Sequence, residues 1–252
     1  MKRFSVVIWA ILIVALALSA CATPAQPSEK TKVRVATDAT FPPFEMVDEN
    51  TKELTGFDVE LMNAIAQKAG FEVEWVNVGF DPMLAGIAEC QYDMAIAAIT
   101  ITEERKASMD FSDPYINAGQ IVTVRKETTD IGGKDDLKGK KIGAQLGTTG
   151  AIEAAKIAGA EVKSYDSYDQ AFLDLANGQI DAVIADYPTT LAFLATNPDK
   201  LKTVGDVFTD ENYGVAFCKK KADLIPQVNA AIKALKEDGT IKKLEEKWLA
   251  GK

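Results

Sequence analysis

The chain is expected to be an α/β protein built as two lobes of like topology, each a mostly parallel sheet with helices on both faces. Three observations carry that expectation. Strand-like and helix-like segments alternate along the chain, the order that builds parallel sheets. The alternation begins afresh after residue 120. And Gln91-Tyr92-Asp93-Met94-Ala95-Ile96-Ala97 is echoed by Gln179-Ile180-Asp181-Ala182-Val183-Ile184-Ala185, with Gln, Asp, Ile and Ala matching in register.

In order, Val33 to Thr37 reads as a strand. Asp58 to Ala69 reads as a helix with Val59, Met62, Ile65, Ala66 and Ala69 on one face, stopped by Gly70. A strand returns at Phe71 to Val76. Asp81-Pro82 is expected to open a helix reaching Glu89, with Asp81 as N-cap and Pro82 at the first helical position. The apolar run Met94 to Ile99 fits a strand covered on both faces. The second series has strands at Gln120 to Val124, Lys141 to Ala144, Glu161 to Lys163 and Asp181 to Ala185, with helices at Thr149 to Ala158 and Tyr168 to Asn177. Tyr213 to Phe217 reads as a strand, and Asp223 to Leu249 as two helices parted by Asp238-Gly239.

The first twenty residues read as an address. Lys2 and Arg3 precede an apolar run from Phe4 to Leu18, too short and too N-terminal for a membrane span. Leu18-Ser19-Ala20-Cys21 follows, resembling the bacterial lipoprotein signal, so cleavage before Cys21 and lipidation of its thiol are expected. Residues 21–32 are rich in Ala, Pro, Thr, Ser and Gln, as suits a flexible tether. The mature protein is expected outside the cytoplasm, in the periplasm or at the cell surface, held to the membrane by its lipid alone.

Net charge is −9, and losing Lys2 and Arg3 with the leader makes it −11, which disfavours nucleic acid and anionic lipid as partners. The chain contains no histidine. That removes serine-histidine and cysteine-histidine nucleophiles and most zinc sites; no metal or cofactor is expected. Cys90 and Cys218 lack metal-ligand spacing. If the strand ending at Phe217 runs antiparallel beside the one starting at Met94, the two cysteines share an end of the sheet and can pair in an oxidising compartment.

In open α/β sheets a ligand lies beyond the carboxyl ends of the strands. The residues just past those ends are Asp38, Phe41, Phe80, Ala98, Thr100, Gln145 with Gly147-Thr148-Thr149-Gly150, and Asp186. Arg105 is the most informative neighbour. It stands in what reads as the first turn of a helix, where a cation opposes the dipole, so it serves either a bound anion or a salt bridge to Glu103, Asp110 or Asp113. The Gly147 to Gly150 loop either lets backbone approach an anion or is a plain turn. Asp186 either holds an ammonium group or caps the helix opening at Tyr187-Pro188. Phe41 and Phe80 either flank a ligand side chain or are core.

Together, Ala36-Thr37-Asp38-Ala39-Thr40-Phe41-Pro42-Pro43-Phe44-Glu45, Gly56-Phe57-Asp58-Val59, Ile99-Thr100-Ile101-Thr102-Glu103-Glu104-Arg105 and Met109-Asp110-Phe111-Ser112-Asp113 resemble the polar amino-acid-binding proteins of ABC importers, from about Lys32 to Trp248. The resemblance implies a periplasmic-binding-protein-like fold of type II. Residues 33–114 and 214–252 would form one lobe, 120–208 the other, and 115–119 with 209–213 a two-stranded hinge.

It also implies that Arg105 and backbone N–H groups at Thr100 and Thr149 bind the ligand carboxylate. Asp186, the Thr100 hydroxyl and the Ala98 carbonyl would take the ammonium. Phe41 and Phe80 would flank the side chain, and Asp38 and Gln145 would reach its far end. Where glutamine-binding members carry a lysine this chain has Gln145, and the histidine before their aspartate is Ala185 here. Loss of that cation favours arginine or lysine, then glutamine. The implied partner is an ABC permease, met by a monomer whose lobes close on the ligand. The same fold serves a few dehydratases, and a sensor component is the third reading.

Overall fold

The computed structural model describes residues 31–249. The leader, Cys21 and most of the tether lie outside that range. Lys32, placed at the end of the tether by sequence, is already the first residue of β1.

The first lobe opens with β1 (Lys32–Thr37), followed by three short strands, β2 (Thr40–Phe41), β3 (Glu45–Val47) and β4 (Leu54–Thr55), that make a small sheet of their own. Then come α1 (Phe57–Ala69), β5 (Glu72–Asn77), α2 (Phe80–Ala88), β6 (Met94–Ala95), α3 (Glu103–Ser108) and β7 (Asp110–Phe111). The chain crosses over at β8 (Ile116–Ala118). The second lobe holds β9 (Gln120–Arg125), β10 (Lys141–Gln145), α4 (Thr149–Ala155), β11 (Glu161–Tyr165), α5 (Tyr168–Ala176), β12 (Ala182–Asp186), α6 (Tyr187–Thr196) and β13 (Leu201–Val204). A return crossing at β14 (Glu211–Tyr213), antiparallel to β8, leads to β15 (Ala216–Phe217), α7 (Ile225–Glu237) and α8 (Thr240–Trp248).

The sheets are laid out alike. One runs β5-β1-β6-β15-β7 and the other β11-β10-β12-β9-β13, each with two parallel then two antiparallel pairings. The sequence echo falls on the two central strands, β6 and β12, and its conserved-in-register acids have one job. Asp93 Oδ2 accepts from Arg34 N at 2.9 Å, and Asp181 Oδ2 accepts from Lys141 N at 2.8 Å. Each carboxylate thus takes a backbone N–H of the neighbouring strand just before that strand's pairing with β6 or β12 begins.

Local chemistry explains where sequence expectation and structure part. Gly70 ends α1 in the left-handed conformation (φ 83°), its N–H bonded to Ala66 O, as a glycine C-terminal cap should. Helix α2 begins earlier than Asp81-Pro82 indicated. Its cap position is Gly79 and buried Phe80 is already helical, so Asp81 and Pro82 fall inside the first turn. The run Met94 to Ile99 is buried throughout, yet only Met94–Ala95 is ladder strand. The Ala98 N–H turns instead to Asp58 Oδ2, at 2.7 Å, with φ 47°. The expected strand Tyr213 to Phe217 breaks at Gly214-Val215, where Ser112 takes both the Val215 N–H, through Oγ at 2.9 Å, and its carbonyl, through N at 2.9 Å.

Antiparallel pairing of Phe217 with Met94 brings Cys218 and Cys90 together, and the structure joins them in a disulfide with Cα atoms 5.0 Å apart. Gly119, at the crossing, needs to be a glycine: a Cβ there would lie 2.2 Å from the Thr209 carbonyl oxygen, so the crossing segments touch backbone to backbone.

Candidate functional site

A cavity lies where the carboxyl ends of the two central strands face each other. Phe41, Phe80, Ala97, Ala98, Thr100 and Arg105 line it from the first lobe, Thr148, Thr149 and Asp186 from the second. Of the sequence candidates, the loop glycines Gly147 and Gly150 lie outside this lining, as do Asp38 and Gln145. The last two sit beside it, bonded to each other across the lobes, Gln145 Nε2 donating to Asp38 Oδ2 at 2.8 Å.

Arg105 stands in the first turn of α3, capped by Thr102, whose hydroxyl accepts the Arg105 N–H at 3.1 Å. Its guanidinium is buried, with the residue 8% exposed. Nη1 donates to Thr100 O at 2.7 Å, Nη2 donates to Gly147 O of the other lobe at 2.9 Å, and the group lies 5.5 Å from the Phe80 ring centroid. Among the described residues no carboxylate lies within ion-pair distance of it, so the salt bridges to Glu103, Asp110 or Asp113 are not made. A buried cation held only by carbonyls and a ring face is short of a counter-charge. Burial depresses its pKa, and the negative groups Asp186 and Glu211 oppose that fall.

Asp186 ends β12 and occupies the cap position of α6, but its carboxylate makes no capping bond. It accepts instead from Tyr213 Oη at 2.5 Å. The residue is 4% exposed. Burial, then the neighbouring charge of Glu211, raise its pKa to about 7 against the Tyr213 bond, which lowers it. An ammonium group delivered to this carboxylate would relieve both penalties.

Thr149 is brought to the cavity by a close approach of α4 to β12. A Cβ on Gly150 would lie 2.8 Å from Ile184 O and 2.5 Å from Tyr168 Oη. The Thr149 and Thr100 hydroxyls both donate to Glu211 Oε2, each at 2.7 Å. Glu211 and Tyr213 come from the return crossing β14 and were not among the sequence candidates; Thr148, named there within the Gly147 to Gly150 loop, caps α4 by accepting from Ala151 N at 3.2 Å. Glu211 and Tyr213 escape a search of strand ends because they sit on the crossing; two polar or aromatic groups flanking Asn212 in a short strand is the only signal, and it is weak.

Phe41 and Phe80 are buried and also line the cavity, so the core and site readings hold together. Phe41 packs against Phe44 of its own lobe and Tyr168 of the other, at centroid distances of 6.2 and 5.7 Å. Asp38 accepts from Thr40 Oγ1 at 2.9 Å as well as from Gln145. Its pKa is nonetheless raised, burial outweighing the hydrogen bonds, with Asp169 adding negative charge nearby.

Behind Ala98 lies a fully buried acid pair. Asp58 Oδ2 takes the Ala98 N–H and the Tyr115 hydroxyl, each at 2.7 Å. Burial lifts Asp58 to about 7. Burial and the facing Asp58 charge hold the Glu45 carboxyl well above the usual range. Two carboxyls buried this close resist ionising together.

The arrangement presents opposite charges on the two lobes to one cavity. The model of the bacterial extracellular solute-binding proteins, family 3, matches residues 33–251. The arginine-binding periplasmic protein of Mannheimia haemolytica is 37% identical over 224 residues, covering 86% of this chain and 91% of that protein. An ancestral arginine-binding protein bound to arginine superposes with a TM-score of 0.84 at 43% identity, covering 88% of this chain and 99% of that one. The arginine-, lysine-, histidine-binding protein ArtJ of Geobacillus stearothermophilus gives 0.83 at 39% identity, covering 88% and 96%. With a two-lobed fold, a cleft receptor and a family match along nearly the whole described chain, the protein belongs to the bacterial extracellular solute-binding proteins, family 3.

Proposed function

We propose that the protein captures a polar amino acid with a cationic side chain, arginine or lysine before glutamine, by closing its lobes about β8 and β14, and hands it to an ABC permease. The single observation that carries this reading is the pairing of a buried guanidinium without a counter-ion on one lobe with a buried, uncapped carboxylate on the other, both lining one cavity. Arg105 takes the α-carboxylate; Asp186, with Thr100 and the Ala98 carbonyl, takes the α-ammonium. Each half of the zwitterion is satisfied only when the lobes meet, so binding draws the population toward the closed form.

The preference for a cationic side chain rests on the far end of the site. Asp38 feels the charge of Asp169, and Gln145 stands where a lysine would neutralise them. The names of the arginine-binding relatives point the same way. The mature chain is anchored through lipid on Cys21 outside the cytoplasm and acts as a binder that returns its ligand unchanged.

Thermal-shift screening of the mature protein against the twenty amino acids plus ornithine and citrulline tests the reading. The melting temperature is expected to rise most with arginine or lysine, since a ligand at a hundred times its Kd adds about 2.7 kcal/mol. Mass spectrometry of the incubated ligand should show it intact. A screen with no responding amino acid, or conversion of the ligand, overturns the proposal.

A further inference from the structure

We infer that Glu211 is a positioning residue that fixes the direction of the Thr100 hydroxyl, making its oxygen an obligatory acceptor for the α-ammonium of the bound amino acid. The inference rests on the function proposed above. A threonine hydroxyl donates one hydrogen bond and accepts two, so on its own Thr100 greets a carboxylate as readily as an ammonium. A carboxylate beside it removes that ambiguity, because it only accepts.

The geometry leaves one orientation. Glu211 is buried, and its Oε2 lies 2.7 Å from both Thr100 Oγ1 and Thr149 Oγ1. Both hydroxyl protons are therefore directed at one oxygen, while Oε1 takes the Thr209 hydroxyl at 2.8 Å. Thr149 Oγ1 has a further donor of its own, Gln120 Nε2 at 3.1 Å. Thr100 Oγ1 has beside it only the Thr149 hydroxyl, 3.4 Å away, whose proton has the shorter 2.7 Å path to Glu211, although Thr100 lines the cavity with Ala98 and Asp186. Its lone pairs are what it offers a ligand. Thr100 belongs to the first lobe and is bridged to Tyr213 of the crossing that carries Glu211, while Thr149 brings the second lobe to the same carboxylate oxygen. Three acceptors then converge on one ammonium: the Ala98 carbonyl, Thr100 Oγ1 and Asp186.

If direction is what matters, glutamine should replace Glu211, since its amide oxygen can still accept both protons while its nitrogen faces the Thr209 oxygen. Methionine, similar in shape but without a strong acceptor, should not. Isothermal titration with L-arginine, L-lysine and L-glutamine tests this, with folding checked by circular dichroism. Glu211→Gln is expected to stay within about fivefold of the parent affinity. Glu211→Met is expected to lose ten- to a hundredfold, and Glu211→Met with Thr100→Val should bind no more weakly than Thr100→Val alone. A Glu211→Gln variant that loses more than tenfold shows that charge, not direction, is used, and overturns the inference whether or not the methionine variant folds. Full additivity of Glu211→Met and Thr100→Val overturns it too. Failure of the parent to bind any of the three amino acids instead sinks the proposed function itself.

Discussion

Replacing Arg105 with alanine is expected to weaken amino-acid binding by a hundredfold to several thousandfold, measured by isothermal titration near neutral pH. The ligand carboxylate would enter the shut cleft without its counter-charge, at a cost of about 3–5 kcal/mol. The loss should fall on affinity rather than on folding. Among the described residues the guanidinium bonds only two backbone carbonyls, Thr100 O and Gly147 O, and a buried cation without a partner anion contributes little to stability. Parent-like affinity in this variant would remove Arg105 from the site, and with it the two-pole grip.

Asp186 supplies the second large effect, and it is one of pH. Its pKa is raised to about 7 by burial and by Glu211, and pairing with an ammonium lowers it again. Binding below pH 7 must therefore expel a proton. Affinity should fall by up to about tenfold for each pH unit below 7 and stay level above it, until the ligand itself titrates. Asp186→Asn should flatten that profile while binding weakly throughout, because it retains an acceptor for Tyr213 but no charge. A parent profile level from pH 5 to 8 would contradict the assignment.

The stability of the unliganded fold should move the other way. Asp186 and Asp58 are both raised to about 7, so between roughly pH 4 and 7 the folded chain holds protons that the unfolded chain has released. Their contribution to stability is fully present below about pH 4 and is lost as pH rises through 7.

Much of this was legible in the sequence because strand ends and helix faces have strong local signatures. The spacing of Val59, Met62, Ile65 and Ala66 placed α1 to within one residue, and the rule that ligands lie past strand ends found Arg105's neighbours and Asp186. Three kinds of feature were not legible. Strands of two or three residues, such as β2, carry too little pattern. Where a distant side chain claims a backbone group, as Asp58 claims the Ala98 N–H and Ser112 claims Val215, an apolar run ceases to be a ladder without any local sign. And Glu211 enters the site from a crossing strand, so its partners, Thr100 and Thr149, stand 111 and 62 residues away.

The placement of the Cys90–Cys218 bond makes the topology covalent. Its sequence separation is 128 residues, and every strand of the second sheet, with both crossings, falls between the two cysteines. The second lobe, both crossings and the first-lobe segments that flank them thus form one closed loop of chain. A protease that nicks the second lobe once leaves fragments that still migrate together without reductant and part only when the sulfurs are reduced. A cut in the second lobe therefore need not release either fragment from the first.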